Sequence, residues 1–210
     1  MTKIFSFSIL LFLVTTKDFA QESQQNLVKQ TFNKYKSSIL NDKGEEAIKC
    51  IDSKTIKYYT DILLVVKNAD SAKVNALSIT DKITVFSVRH RATKEEILKM
   101  DGKGLFVYAI KSGMVGKSSV INNTIGNVTI DNQFAKGQLF VSGKKADFYF
   151  YFYKELNEWK LNLTSLFPIS NTIFNNMVKE SGEDENEFLF TILENLYGTK
   201  PGAEIWQPIK

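Results

Sequence analysis

Residues 148 to 153 read Phe-Tyr-Phe-Tyr-Phe-Tyr, six aromatic side chains in strict alternation. On a β-strand successive side chains point to opposite faces. Phe148, Phe150 and Phe152 therefore make one wholly apolar face, and Tyr149, Tyr151 and Tyr153 make a face that ends in hydroxyls. The phenylalanine face demands a covering layer, so this strand belongs to a sheet packed on something else. Its neighbours supply the sheet. Val115 to Thr164 is rich in β-branched and aromatic residues and is cut by short polar turns at Asp131-Asn132, Ser142–Lys145 and Leu156–Glu158. The spacing predicts an antiparallel meander of four or five strands. In its last strand Trp159, Leu161 and Leu163 face the core, while Lys160, Asn162 and Thr164 share the amphipathic side.

A helical period governs the rest of the chain. Val28, Phe32, Tyr35 and Ile39 recur at i, i+4, i+7 and i+11, one face of an amphipathic helix that is expected to take the phenylalanine face. Asn41-Asp42-Lys43-Gly44 breaks it, and a short helix near Glu45–Cys50 follows. Ser53 is expected to cap a third helix carrying Ile56, Tyr59, Ile62, Leu63 and Val66. Further helices are expected at Ser71–Leu77, Ile79–Arg91 and Thr93–Met100, and over Leu105–Ile110 before Gly113. After Pro168, the residues Ile169, Ile173, Phe174, Met177 and Val178 form one stripe; a last helix opens at Asp184 and closes at Gly198. The fold class is therefore α+β: N-terminal helices on a curved antiparallel sheet, with a helical insertion and C-terminal helices.

This order resembles the nuclear transport factor 2-like superfamily. The resemblance rests on the Val28–Leu40 helix, the Asn41–Gly44 break and the short Ala47-Ile48-Lys49-Cys50 helix. It continues in the Tyr58-Tyr59 pair of the third helix and in the Phe148–Tyr153 and Trp159–Leu163 strands. It implies a cone-like roll around the long helix, a pocket at the open end, and pairing through the outer sheet face. Two features depart from the family: the long helical stretch from Lys67 to Gly113, and the helices after Pro168. Either is placed to plug the mouth of the cone.

The first twenty residues read as an export leader. Lys3 gives a positive start, Ile4–Val14 is a short apolar run, and Phe19-Ala20-Gln21 offers a small residue for cleavage. That run is shorter than the roughly 20 apolar residues a membrane span needs. The expected mature chain, residues 21–210, forms one domain, periplasmic or secreted, without a stable membrane anchor; N-terminal sequencing should read from Gln21, and retention of Met1 would reject the leader. The single cysteine, Cys50, has no intramolecular partner and sits between Ile48 and Ile51, as a buried thiol does. Loss of the leader takes the formal charge from +4 to +3, too small an excess to imply nucleic acid. Only two of the 27 basic residues, Arg89 and Arg91, are arginines; such Lys- and Asn-rich usage is typical of an AT-rich bacterial genome.

Candidate chemistry is sparse. His90, the only histidine, lies in line with Ile79, Ile83 and Phe86 on a helical stripe. The resemblance would make it a general base in a cone; by its residues alone it reads as a core or rim histidine with one backbone partner. Arg89 and Arg91 flank it and offer an anion-binding cluster or, alternatively, a solvated helix end favoured by the dipole. Asp61 is the carboxylate nearest the third helix's apolar stripe, a candidate for acid–base work or an ordinary surface charge. One His and one Cys exclude a His- or Cys-rich metal centre, and no cofactor motif is present. Tyr149, Tyr151 and Tyr153 offer a contact face for a second copy or another protein, unless the C-terminal helices cover it. The leading reading is an exported, non-catalytic binding or protein-interaction protein of the bacterial envelope, immunity proteins being one such class. The alternative is a small-molecule isomerase, cyclase or hydrolase using a cone pocket.

Overall fold

The structure, a computed structural model, describes residues 5–209, with side chains from Gln21 to Ile209. The expected leader, residues 1–20, lies outside the residues whose side chains are described. The elements run α1 (Phe5–Leu40), α2 (Gly44–Ala47), α3 (Ser53–Asn68), α4 (Ser71–Asn75), α5 (Ile79–Arg91), α6 (Lys94–Lys99) and α7 (Gly102–Lys111). Then come β1 (Asn123–Asp131), β2 (Phe134–Val141), β3 (Lys144–Glu155) and β4 (Glu158–Asn162), followed by α8 (Phe167–Ser181) and α9 (Glu185–Tyr197). The strands form one antiparallel sheet in the order β1-β2-β3-β4, curved but not closed. The meander thus has four strands, and residues 117–119, inside the stretch read as β-rich, form a single 3-10 turn.

α1 lies on the inner face of this sheet and touches both edge strands. Val28 and Phe32 are fully buried, and Tyr35 and Ile39 nearly so, against Phe150, Phe152, Trp159 and Leu161. The Phe32 and Phe150 rings stand 5.1 Å apart, so the phenylalanine face packs on the first helix as the alternation required. The residues that follow α2 add a partial fifth strand: Ile51 bridges Leu161 in parallel and the Asp52 amide donates to the Leu161 carbonyl at 3.0 Å. One edge of the sheet is thereby shielded.

A second core lies beside the first. Ile62, Leu63 and Val66 of α3 join Val85, Phe86 and Val88 of α5, Ile97 of α6, and Leu189 and Leu193 of α9. α3 and α7 connect the two cores. They approach closely because residue 102 is glycine: a Cβ there would stand 2.6 Å from the Thr60 amide nitrogen. Phe106 and Ile110 of α7 enter the sheet core, where the Phe106 ring meets Tyr59 at 5.1 Å. The helical insertion does therefore fill space at the end of the α1–sheet layer.

Three local expectations are corrected. The cap of α3 is Asp52, whose carboxylate accepts from the Thr55 amide at 2.8 Å; Ser53 is the first helical residue. Asn162 is buried, because its amide reaches the Asp52 carboxylate, 2.5 Å away. The α8 stripe is split: Phe174 and Val178 pack on the second core, whereas Ile169, Ile173 and Met177 stay exposed.

Candidate functional site

The four residues singled out around His90 do not converge. His90, half-buried at the end of α5, has its Nε2 3.1 Å from the Thr199 hydroxyl and its ring beside Tyr197. Asp61 is exposed on α3 and ion-paired with Lys57 one turn earlier, at 2.7 Å. Arg91 is exposed; it lies over the Tyr197 ring at 4.5 Å and donates to the Ser112 carbonyl at 2.9 Å. No carboxylate orients the imidazole among the described residues, so the arrangement lacks the base-and-orienter geometry of acid–base catalysis.

Arg89 overturns both of its expected roles. It is buried, and its guanidinium donates to four backbone carbonyls: Val66 and Ile205 at 2.9 Å, Ala69 at 2.7 Å and Val65 at 3.3 Å. Three of these lie at the C-terminal end of α3, where the dipole is negative; the Val65 carbonyl also accepts from the Ala69 amide. Burial pulls the guanidinium pKa below its ordinary value, though an arginine remains charged. It is a clamp joining α3, α5 and the C-terminal segment, unavailable to an external anion.

The tyrosine face is accessible. Pairing in register puts Phe134, Lys136 and Gln138 of β2 beside Tyr153, Tyr151 and Tyr149 of β3, all on the outer side. Tyr149 and Tyr151 are 37% and 38% exposed, which for side chains in the middle of a sheet means that no other element lies across them. The C-terminal helices do not cover this face; α8 packs on α5 instead. The Phe134 ring sits 5.4 Å from both Tyr151 and Tyr153. Lys54 stands over Tyr153 at 4.4 Å and Lys136 over Tyr149 at 5.3 Å, short enough for cation–π attraction. A trough of about 460 Å³ separates Tyr151 and Tyr153 from Pro168 and Ile169, and a hollow of about 280 Å³ opens between Tyr149, Lys136 and Lys145. Among the described residues Lys54, Lys136 and Lys145 have no carboxylate within 4.0 Å, and Asp131 and Asp147 have no Lys or Arg.

Several polar side chains that sequence reasoning did not place in the core are structural. Asp52, Thr55 and Asn162 form a buried network that ties α3 to the end of β4, with the Leu163 amide donating to Thr55 Oγ1 at 3.0 Å. Lys82, 4% exposed at its side chain, reaches the Glu185 carboxylate at 2.6 Å and fixes α9 on α5. Gln138, also buried, donates to the Ala146 and Phe148 carbonyls where the β2–β3 register shifts. The Asp-Ser-Lys-Thr run at 52–55 carries a helix-start signal that marks the first cluster; nothing local marks the other two. No group of three His, Cys, Asp or Glu with metal-binding geometry occurs among the described residues. No helix among them is long and apolar enough to cross a membrane. No family model matches the chain, and no curated protein or solved structure does either.

Proposed function

We propose that this is an exported, non-catalytic binding protein of the bacterial envelope whose outer sheet face receives a protein partner, a second copy of the chain first. The observation that carries the reading is the uncovered row of Tyr149 and Tyr151, flanked by lysines and aspartates that have no ion-pair partner among the described residues. Tyrosine buries apolar area while keeping a hydroxyl to bond, which suits a face that alternates between water and a partner. A two-fold contact must be self-complementary, and this face carries both signs: Lys136 and Lys145 of one copy can meet Asp131 and Asp147 of the other. α1 fills the centre of the inner face with Phe32, Tyr35 and Ile39. That packing favours binding over the alternative of an isomerase, cyclase or hydrolase working in a cone pocket. The long first helix across an antiparallel sheet also supports the resemblance to the nuclear transport factor 2-like superfamily; the export reading rests on the pattern of residues 3–21.

Four strands about 4.8 Å apart give a face roughly 20 Å wide, so the contact falls toward the small end of stable interfaces and needs concentrated protein to populate. Light scattering on the mature protein at high concentration should give the mass of two chains. The Tyr149/Tyr151/Tyr153 triple Ser variant should give one chain with its fold intact by circular dichroism. A monomeric wild type would remove the second copy and leave another protein as the occupant. An unchanged dimer in the variant would remove the face.

A further inference from the structure

The second core is not solid. A cavity of about 260 Å³ lies between α3, α5, α7, α8 and α9, away from the tyrosine face. Its walls are apolar, built from Leu105 and Ala109 of α7, Phe174 of α8 and Ile192 of α9. It meets solvent beside Leu196, which is 63% exposed. Four hydroxyl-bearing side chains interrupt the apolar lining, Tyr59, Thr84, Ser87 and Tyr197, and the Thr84 hydroxyl is taken up by the Thr80 carbonyl at 2.8 Å. Ser87 is 6% exposed on the buried side of α5, and its Oγ makes no hydrogen bond among the described residues. It does not count among buried polar atoms lacking a partner, so it retains some accessible surface, and Ser87 lines the cavity. Tyr59 repeats the pattern from α3. Burial pushes its phenol up to about 12, its hydroxyl has no partner among the described residues, and Tyr59 lines the same space.

A hydroxyl with no protein partner on a largely apolar wall is free to donate to a bound molecule, so Tyr59 and Ser87 mark where an acceptor can sit. We propose that this cavity is a binding site for a small neutral apolar molecule bearing one hydroxyl or carbonyl oxygen, held by donation from Tyr59 and Ser87. Size follows from comparison: a dry cavity of about 150 Å³ takes benzene, so this one takes about ten non-hydrogen atoms. Neutrality follows from the lining, which contains no Lys, Arg or His to meet a charged end. The inference is independent of the outer-face reading, because no residue is shared between the two sites.

The test uses 1-octanol as probe and octanoate as its charged counterpart. Calorimetric titration of the mature protein should show saturable one-to-one binding of octanol and much weaker binding of octanoate. Amide shifts in a nitrogen-15 spectrum should concentrate on α3, α5, α7 and α9. The double variant Tyr59→Phe/Ser87→Ala removes both donors and should weaken octanol about tenfold, a loss typical of two modest hydrogen bonds. Ser87→Leu fills the space and should abolish binding; Ala109→Leu does so from the opposite wall should the first variant fail to fold. Absence of saturable binding to the folded wild type overturns the proposal, as water alone would then occupy the cavity. Undiminished affinity in a folded cavity-filled variant overturns the site, and undiminished affinity in the double variant overturns the assigned chemistry.

Discussion

Arg89→Leu should lower stability by about 3 kcal/mol or more, because three buried carbonyls and the partly buried Val65 carbonyl lose charge-assisted donors at once. For a domain of this length each kcal/mol moves the melting temperature by about 2–4 °C, so a fall of about 6–12 °C is expected. Arg89→Lys should recover only part of the loss, since an ammonium cannot spread its donors over Val66, Ala69 and Ile205 as a planar guanidinium does. Thermal unfolding followed by circular dichroism reads both variants. If Arg89→Leu melts within a degree or two of wild type, the clamp is not a structural element. His90→Ala is the natural companion. It sits one residue on but holds only the Thr199 hydroxyl at the rim, so its effect should be small beside that of Arg89.

The second large effect separates the two faces of β3. Phe150→Ala opens a cavity against Phe32 and should cost about 3–5 kcal/mol. Tyr151→Ala loses an exposed ring and its edge contact with Phe134, and should cost less than about 1 kcal/mol. Chemical denaturation of the two variants at low protein concentration, which keeps self-association out of the comparison, reads both effects. Equal losses would mean that the tyrosine side is covered too.

The alternation at 148–153 and the helical stripe from Val28 to Ile39 made the α1–sheet layer legible, because each is a long pattern with one solution. What escaped was decided by distant parts of the chain. Asp52 rather than Ser53 caps α3 because Asp52 is held extended by its bond to the Leu161 carbonyl, more than a hundred residues away. Arg89 turns inward because α3 happens to end beside it; the sequence shows the arginine but not the carbonyls awaiting it. The α8 stripe proved wider than the surface α5 and the rest of the second core cover, so Ile169, Ile173 and Met177 remained outside. The cavity had no signature either. Ser87 and Tyr59 belong to helices whose spacing in space no local period encodes.

Pairing of two copies through the outer tyrosine face is tested most directly by a single introduced thiol. The native Cys50 is buried and does not compete. A two-fold contact through the face brings residue 151 of one copy near residue 151 of the other. Leu156, 99% exposed at the tip of the β3–β4 hairpin, is the control for chance collisions. Under mild oxidation at high concentration, Tyr151→Cys should form a disulfide-linked dimer well before Leu156→Cys does, as read on a non-reducing gel. Equal rates for the two variants, or no covalent dimer from Tyr151→Cys, would contradict the account.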